Sequence, residues 1–176
     1  LLMESRTSVR RITSHLLEQG RTLPGFIGDI GYAQSNRERY EGFCQALADA
    51  GKKVDSSLCL TTPLGIDTYR EEIDTFLSSL SRMPDAFVCA SDYVACILMQ
   101  LLEKRGLRVP EDVAVSGFDN NTEDLLAEHL TTVQVFNEEL GARLALQILY
   151  RIKYPNTPHE ITYLGTNVLY RDSTGD

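Results

Sequence analysis

The sequence predicts an α/β fold built on a mostly parallel, doubly wound sheet, and three observations carry that expectation. Short apolar runs recur near residues 26, 59, 88 and 114, each adjoining a stretch with helical periodicity. Phe87-Val88-Cys89-Ala90 and Val113-Ala114-Val115 lack the polar alternation of a half-exposed antiparallel strand, so both of their faces are expected to be covered. Between them Val94, Ala95, Ile97, Leu98, Leu101 and Leu102 fall at helical spacing, with Asp92 at a capping position and Gly106 just past the end. Strand, helix and strand make a βαβ unit, and it places Asp92 and Asp119 at the C-terminal ends of two buried strands, where α/β sheets bind ligands.

The remaining elements follow in order. Residues 7–19 read as a helix closed by Gly20, with Val9, Ile12, Leu16 and Leu17 facing inward. Residues 25–29 form a strand. Ser35-Asn36-Arg37-Glu38 has the spacing of a capping box, in which hydroxyl and carboxylate satisfy reciprocal backbone donors, and it opens a helix running to about Ala50 before Gly51. Leu58-Cys59-Leu60 is the next strand. Asp67 caps a helix carrying Tyr69, Ile73, Phe76, Leu77 and Leu80, and Pro84 closes the connection into the Phe87 strand. Beyond Asp119, residues 120–129 begin polar and form a short helix, and residues 130–135 extend. A last helix over 138–151 has Leu140, Leu144, Ile148 and Leu149 on its apolar side. Pro155-Asn156-Thr157-Pro158 is a loop, and residues 160–164 and 167–170 suggest two strands around Gly165.

At 176 residues the chain suits one domain with a core that needs no metal or disulfide staple. Seventeen basic against 25 acidic residues give a formal charge of −8, which opposes direct binding of a polyanion by this segment. No run approaches the roughly 20 apolar residues of a membrane span. Cys44, Cys59, Cys89 and Cys96 show neither CxxC pairing nor a His at zinc-ligand spacing, so buried, reduced thiols are expected. Catalysis finds no footing, because GxSxG, HExxH and GxxxxGK[ST] are absent and His15, His129 and His159 are scattered. Residues 119–130 have the acidic start of a calcium loop but Asp124 stands where Gly is needed and Leu130 where Glu is needed. No enzyme, cofactor or metal is expected.

Ala90-Ser91-Asp92, the run from Gly106 to Asn120 that includes Arg108-Val109-Pro110-Glu111-Asp112 and Ser116-Gly117-Phe118-Asp119-Asn120, and Leu130-Thr131-Thr132-Val133 together resemble the effector-binding region of LacI/GalR-type bacterial transcription regulators. Upstream, Leu16 to Gly20, Phe26-Ile27-Gly28, Ser35 to Arg39 and Gly42-Phe43 follow in the same order; downstream, Glu139-Leu140-Gly141 and Val168 to Thr174 do so too. The resemblance implies a periplasmic-binding-protein-like type I fold, in which two α/β lobes flank a cleft and the chain crosses between them three times. It implies a partial effector-binding domain: a second lobe over about 5–133 and 155–176, and a returning segment of the first lobe over about 134–154. The DNA-reading helix-turn-helix lies outside this chain. The function implied is cytoplasmic sensing of a small sugar or related metabolite, with lobe closure in a homodimer controlling operator DNA binding through the absent domain and with no membrane partner. The competing reading is a periplasmic sugar-binding protein of an ABC transporter; an enzyme of Rossmann-like topology is third, and Gly28-Asp29-Ile30-Gly31 is not its GxGxxG loop.

By the same resemblance the effector-binding residues are Asp119, Arg39, Ser35, Ser91 and Pro63. Asp119 is the main ligand-orienting acid, against the alternative of a loop aspartate capping a turn. Arg39 aligns with a ligand-contacting arginine, with Arg37 the other choice if the loop is shifted, and capping alone would explain Ser35. Ser91 stands where the family often has Asn, and Pro63 where it commonly offers an aromatic surface. Asp92 reads as a helix cap. Two further departures are Met3-Glu4-Ser5, near the first crossing, where an aspartate is usual, and Glu128-His129 in place of a proline pair. The dimer interface is expected on the helix after Asp92 and on residues 122–130, with Cys96, Leu125, Leu126 and His129 in it, since the apolar residues of that helix exceed one core stripe.

Overall fold

A computed structural model describes residues 1–65, 67–121 and 128–175. Four strands, β2 (Pro24–Ile27), β3 (Cys59–Leu60), β4 (Ala86–Cys89) and β5 (Ala114–Ser116), form an all-parallel sheet in the order β3-β2-β4-β5. Side chains alternate across it, as the two-residue period of a strand requires. Ile27, Phe87, Cys89 and Val115 pack on α3 (Tyr69–Ser79) and α4 (Asp92–Lys104), whereas Phe26, Val88, Ala86 and Ala114 pack on α1 (Arg6–Glu18) and α2 (Gln34–Asp49). Both faces are therefore covered, which is why the strands are continuously apolar. Gly42 lets α1 and α2 pack closely, because a Cβ there would lie 2.2 Å from the Arg6 carbonyl oxygen.

Two small ladders extend the lobe. β6 (Thr132–Gln134) pairs antiparallel with β8 (Asn167–Leu169), while β1 (Leu2–Met3) pairs parallel with β7 (Tyr163–Leu164). Between β6 and β7 runs α5 (Asn137–Lys153), and none of its residues is buried. The stripe of Leu144, Ile148 and Leu149 expected to face a core is open, as are Leu146 and Ile152.

Several helix starts differ from the sequence reading. α2 begins at Gln34 with Ala33 at its cap, and the Ser35–Glu38 capping box does not form. The entrance is organised instead by Asp29, whose Oδ1 accepts from the Gly31 and Tyr32 amides at 2.8 and 3.1 Å, and by Asn36, whose amide donates to the Asp29 carbonyl at 2.9 Å. Glu38 is buried and accepts from Gln34 and from the Tyr163 hydroxyl. Thr68, not Asp67, occupies the cap of α3. At α4 the cap is Ser91, whose Oγ accepts from the Val94 amide at 3.3 Å, so Asp92 is the first helical residue and not the cap.

The apolar surplus expected on α4 for a partner is not there. Val94, Ala95, Ile97, Leu98, Leu101 and Leu102 are all buried inside the lobe, together with Cys96, because α3, β4 and β5 cover more of the helix than one stripe. Cys96 is 4% exposed and lines a groove with Tyr69 and Tyr93. Cys44 and Cys59 are half-buried where full burial was expected, and none of the four cysteines is in a disulfide. His129 is exposed and its Nδ1 lies 2.7 Å from Asp172 Oδ2. Leu125, Leu126 and residues 122–127 of the short helix expected over 120–129 fall outside the described residues.

Candidate functional site

The order β3-β2-β4-β5 reverses direction between β2 and β4: the chain leaves β2 toward α2 on one face and leaves β4 toward α4 on the other. Such a switch point opens a crevice at the C-terminal strand ends. Arg39 reaches across it. From α2 its Nη1 donates to the carbonyl of Ala90, the residue after β4, and its Nη2 donates to Asp119 Oδ1 at 3.3 Å. The guanidinium carbon stands 3.6 Å from the centre of the Phe118 ring, a cation–π stack. Arg39 is only 4% exposed, yet its Nε has no hydrogen-bond partner. Desolvation lowers its pKa, opposed by the charge and the hydrogen bond of Asp119. Arg37, the alternative two residues earlier, points to solvent.

Asp119 is held in an unusual backbone. Its φ is 109° and that of Asn120 is 51°, both in the left-handed region that costs a residue other than glycine roughly 1–3 kcal/mol. The surroundings fix that geometry. The Asp119 amide donates to the Val133 carbonyl at 3.1 Å, and the Asn120 amide donates to Thr132 Oγ1 at 3.2 Å. The Asn120 side chain bridges Gln134 Oε1 at 2.6 Å and Arg171 Nη2 at 2.8 Å. The Asp119 side chain remains 39% accessible, so its carboxylate has room to accept hydroxyl protons from a ligand. Burial raises its pKa and Arg39 pulls it back.

Asp92 lies below this loop, 2% exposed. Its Oδ1 accepts from Thr132 Oγ1 at 2.6 Å and its Oδ2 from the Asn121 amide at 2.8 Å. Burial pushes its pKa up to about 6, the two hydrogen bonds and Arg171 lower it, and Asp119 raises it. Gly117 is required here, since a Cβ would meet Asp92 Oδ1 at 2.2 Å and Leu130 Cδ2 at 2.9 Å.

Of the residues named from sequence, the fold brings Arg39 and Asp119 into contact from positions 80 apart. Ser91 is engaged as the α4 cap, half-buried. Ser35 is half-buried in the first turn of α2, and Pro63 is exposed in the loop after β3. Phe118, Thr132, Asn120, Gln134 and Arg171 were not singled out: each acts through a partner distant in sequence, and only the strand-end position of Phe118 beside Asp119 carried any signal. Among the described residues no group of three His, Cys, Asp or Glu is arranged to hold a metal ion.

Residues 13–174 match the periplasmic binding protein-like domain. The transcriptional regulator DegA of Bacillus subtilis is 35% identical over 130 residues, 73% of this chain and 38% of that protein. The regulator CelR of Thermobifida fusca is 32% identical over 170 residues, 93% of this chain and 48% of that protein. The solved complex of a CelR regulator with cellobiose superposes with a TM-score of 0.87 at 28% identity, covering 97% of this chain and 52% of that one. The chain spans about half the length, or less, of the curated relatives it matches. With Arg39 reaching Asp119 across the sheet's switch point and a family match over nearly its whole length, this chain belongs to the periplasmic binding protein-like domain family, and the relatives it matches there include transcriptional regulators.

Proposed function

We propose that this chain is the effector-sensing part of a LacI-type, DNA-binding transcription regulator, and that its effector is a small sugar-like metabolite seated at Arg39 and Asp119. The observation that carries the reading is Arg39: a guanidinium held at the switch point, buried and stacked on Phe118, with Nε left unpartnered and Asp119 half-open beside it. A polyhydroxyl ligand supplies acceptor oxygens to the one and donor hydroxyls to the other. The cellobiose complex of the CelR regulator supports a sugar as the ligand class.

In this reading α5, within residues 134–154 as the returning segment, belongs to the other wall of the cleft. The open apolar side of α5 is what a missing first lobe would cover. Ligand closes the two lobes because it binds the closed arrangement better, and that differential affinity is all it can contribute to the shift. A homodimer presents the DNA-binding heads of the full-length protein, and the exposed Tyr93, with Tyr69 and Gln100 beside it between α3 and α4, supports that face as its interface. The protein acts as a sensor and not as an enzyme. Calorimetry of the full-length protein against cellobiose, ribose, their phosphates and purines tests the reading. A saturable sugar interaction lost on Arg39→Ala supports it, and binding that survives that change places the effector elsewhere.

A further inference from the structure

We propose that Asp92 is the positioning residue of the candidate site: its carboxylate, bonded to Thr132 and to the Asn121 amide, holds Asp119 and Asn120 in the left-handed backbone that aims Asp119 at Arg39. The inference rests on the effector reading for its meaning and on the geometry of the loop for its support. Thr132 has one hydroxyl proton, and Asp92 Oδ1 accepts it at 2.6 Å. That fixes the direction of the hydroxyl, leaving a lone pair for the Asn120 amide at 3.2 Å. Asp92 Oδ2 secures the next amide, of Asn121, at 2.8 Å. The Asp92 backbone amide donates in turn to the Phe118 carbonyl at 2.8 Å, so one residue grips both ends of the segment that carries Asp119. Thr132 begins β6, the strand that leads out to α5, and the same carboxylate therefore links the site to the segment crossing toward the other lobe.

Protonation undoes the arrangement. A neutral carboxyl offers one acceptor oxygen without charge assistance and one O–H donor, and that donor faces a hydroxyl or an amide that was itself donating. The groups around Asp92 are Asp119 on the loop, Arg171 near the β8 end, Arg39 on α2 and the neutral thiol of Cys89 on β4. Asp119 and burial favour the proton, and the two arginines oppose it. The site is thereby ordered above the titration of Asp92 and released below it, near pH 6.

The test needs no effector. Amide shifts and hydrogen-exchange protection factors of Asn120 and Asn121 are followed by NMR from about pH 5 to 8, in the wild type and in D92N, T132V and T132S. In the wild type both amides titrate together with the Asp92 carboxyl carbon, and their protection drops about five- to tenfold on the acid side, the gap between a charged and a neutral hydrogen bond. D92N shows the low-protection state at every pH while strands β2 and β4 keep theirs; T132V loses protection at Asn120, and T132S retains it. Wild-type protection at Asn120 and Asn121 in D92N, or a loss spread evenly over the main sheet, overturns the positioning role. Should D92N fail to fold, the wild-type titration decides alone, and an Asn121 amide indifferent to the Asp92 titration refutes the proposal. Because no ligand enters, this outcome is independent of whether calorimetry finds an effector at Arg39.

Discussion

Arg39 combines two hydrogen bonds and a ring stack in a single planar group, and no other cationic side chain reproduces that set. Arg39→Lys replaces the fork by a point charge that can reach Ala90 or Asp119 but not both while lying on Phe118. An effector bound there should lose about tenfold or more in affinity, read by calorimetry on the full-length protein, with the fold retained. Asp119→Asn leaves one oxygen able to accept where there were two, and the expected loss is about 1.5–3 kcal/mol of binding free energy; equal affinity would reduce Asp119 to a loop-former. The buried carboxyl below it gives a signature in stability. The folded pKa of Asp92 is raised from 3.8 to about 6, so its contribution to stability is fully present below the unfolded value and is lost as pH rises through 6. Two units correspond to about 2–3 kcal/mol. Denaturant unfolding at pH 4 and 7.5 should show that difference superimposed on other titrations, and D92N should remove it by being more stable than wild type at pH 7.5. Sequence alone pointed to Asp119 and Arg39 as candidates, through strand-end position and resemblance, and the fold brings the two into contact. It could not assign Asp92, because the capping role fits its place before a helix equally well, and its true partners lie 29 and 40 residues away.

At the level of elements, periodicity and burial part company at α5. Its leucines recur as an inward stripe does, yet Leu149 and Ile152 are 62% and 73% exposed. Periodicity states that a helix has an apolar side; it does not say which body covers that side. Leu149→Glu with Ile152→Glu should therefore change the stability of this chain by less than about 0.5 kcal/mol, as at an exposed surface, and lower the melting temperature of the full-length protein by several degrees. Ile73→Ala, in the layer between the sheet and α3, should cost about 2–5 kcal/mol in either. The reverse pattern would mean that α5 folds back on its own lobe. The main-sheet strands were legible because burial on both faces leaves an unbroken apolar run. The helix entrances were less so, since the Asp29–Asn36 turn and the Ser91 cap settle start points that several polar residues could have claimed.

For the whole molecule, the charge of −8 opposes direct contact between this segment and a phosphate backbone. Gel shifts with the 176-residue chain should show no sequence-selective complex at nanomolar concentration, whereas the full-length protein should form one. The architecture of the lobe was readable from alternation of strand and helix, and β6, β7 and β8 lie within stretches read as extended, while β1 and the pairing of the small ladders were not readable, because two- and three-residue strands have too few side chains to display a period or a register. Gly117 carries a consequence for how such a chain can evolve. A methyl group there would lie 2.2 Å from Asp92 Oδ1, but also 3.0 Å from Asp92 Cα and 2.9 Å from Leu130 Cδ2, so trimming the aspartate does not make room for it. Descendants can exchange the acid while keeping the glycine, but the glycine stays fixed whether or not the acid has changed: variation at these two positions is open at one and closed at the other.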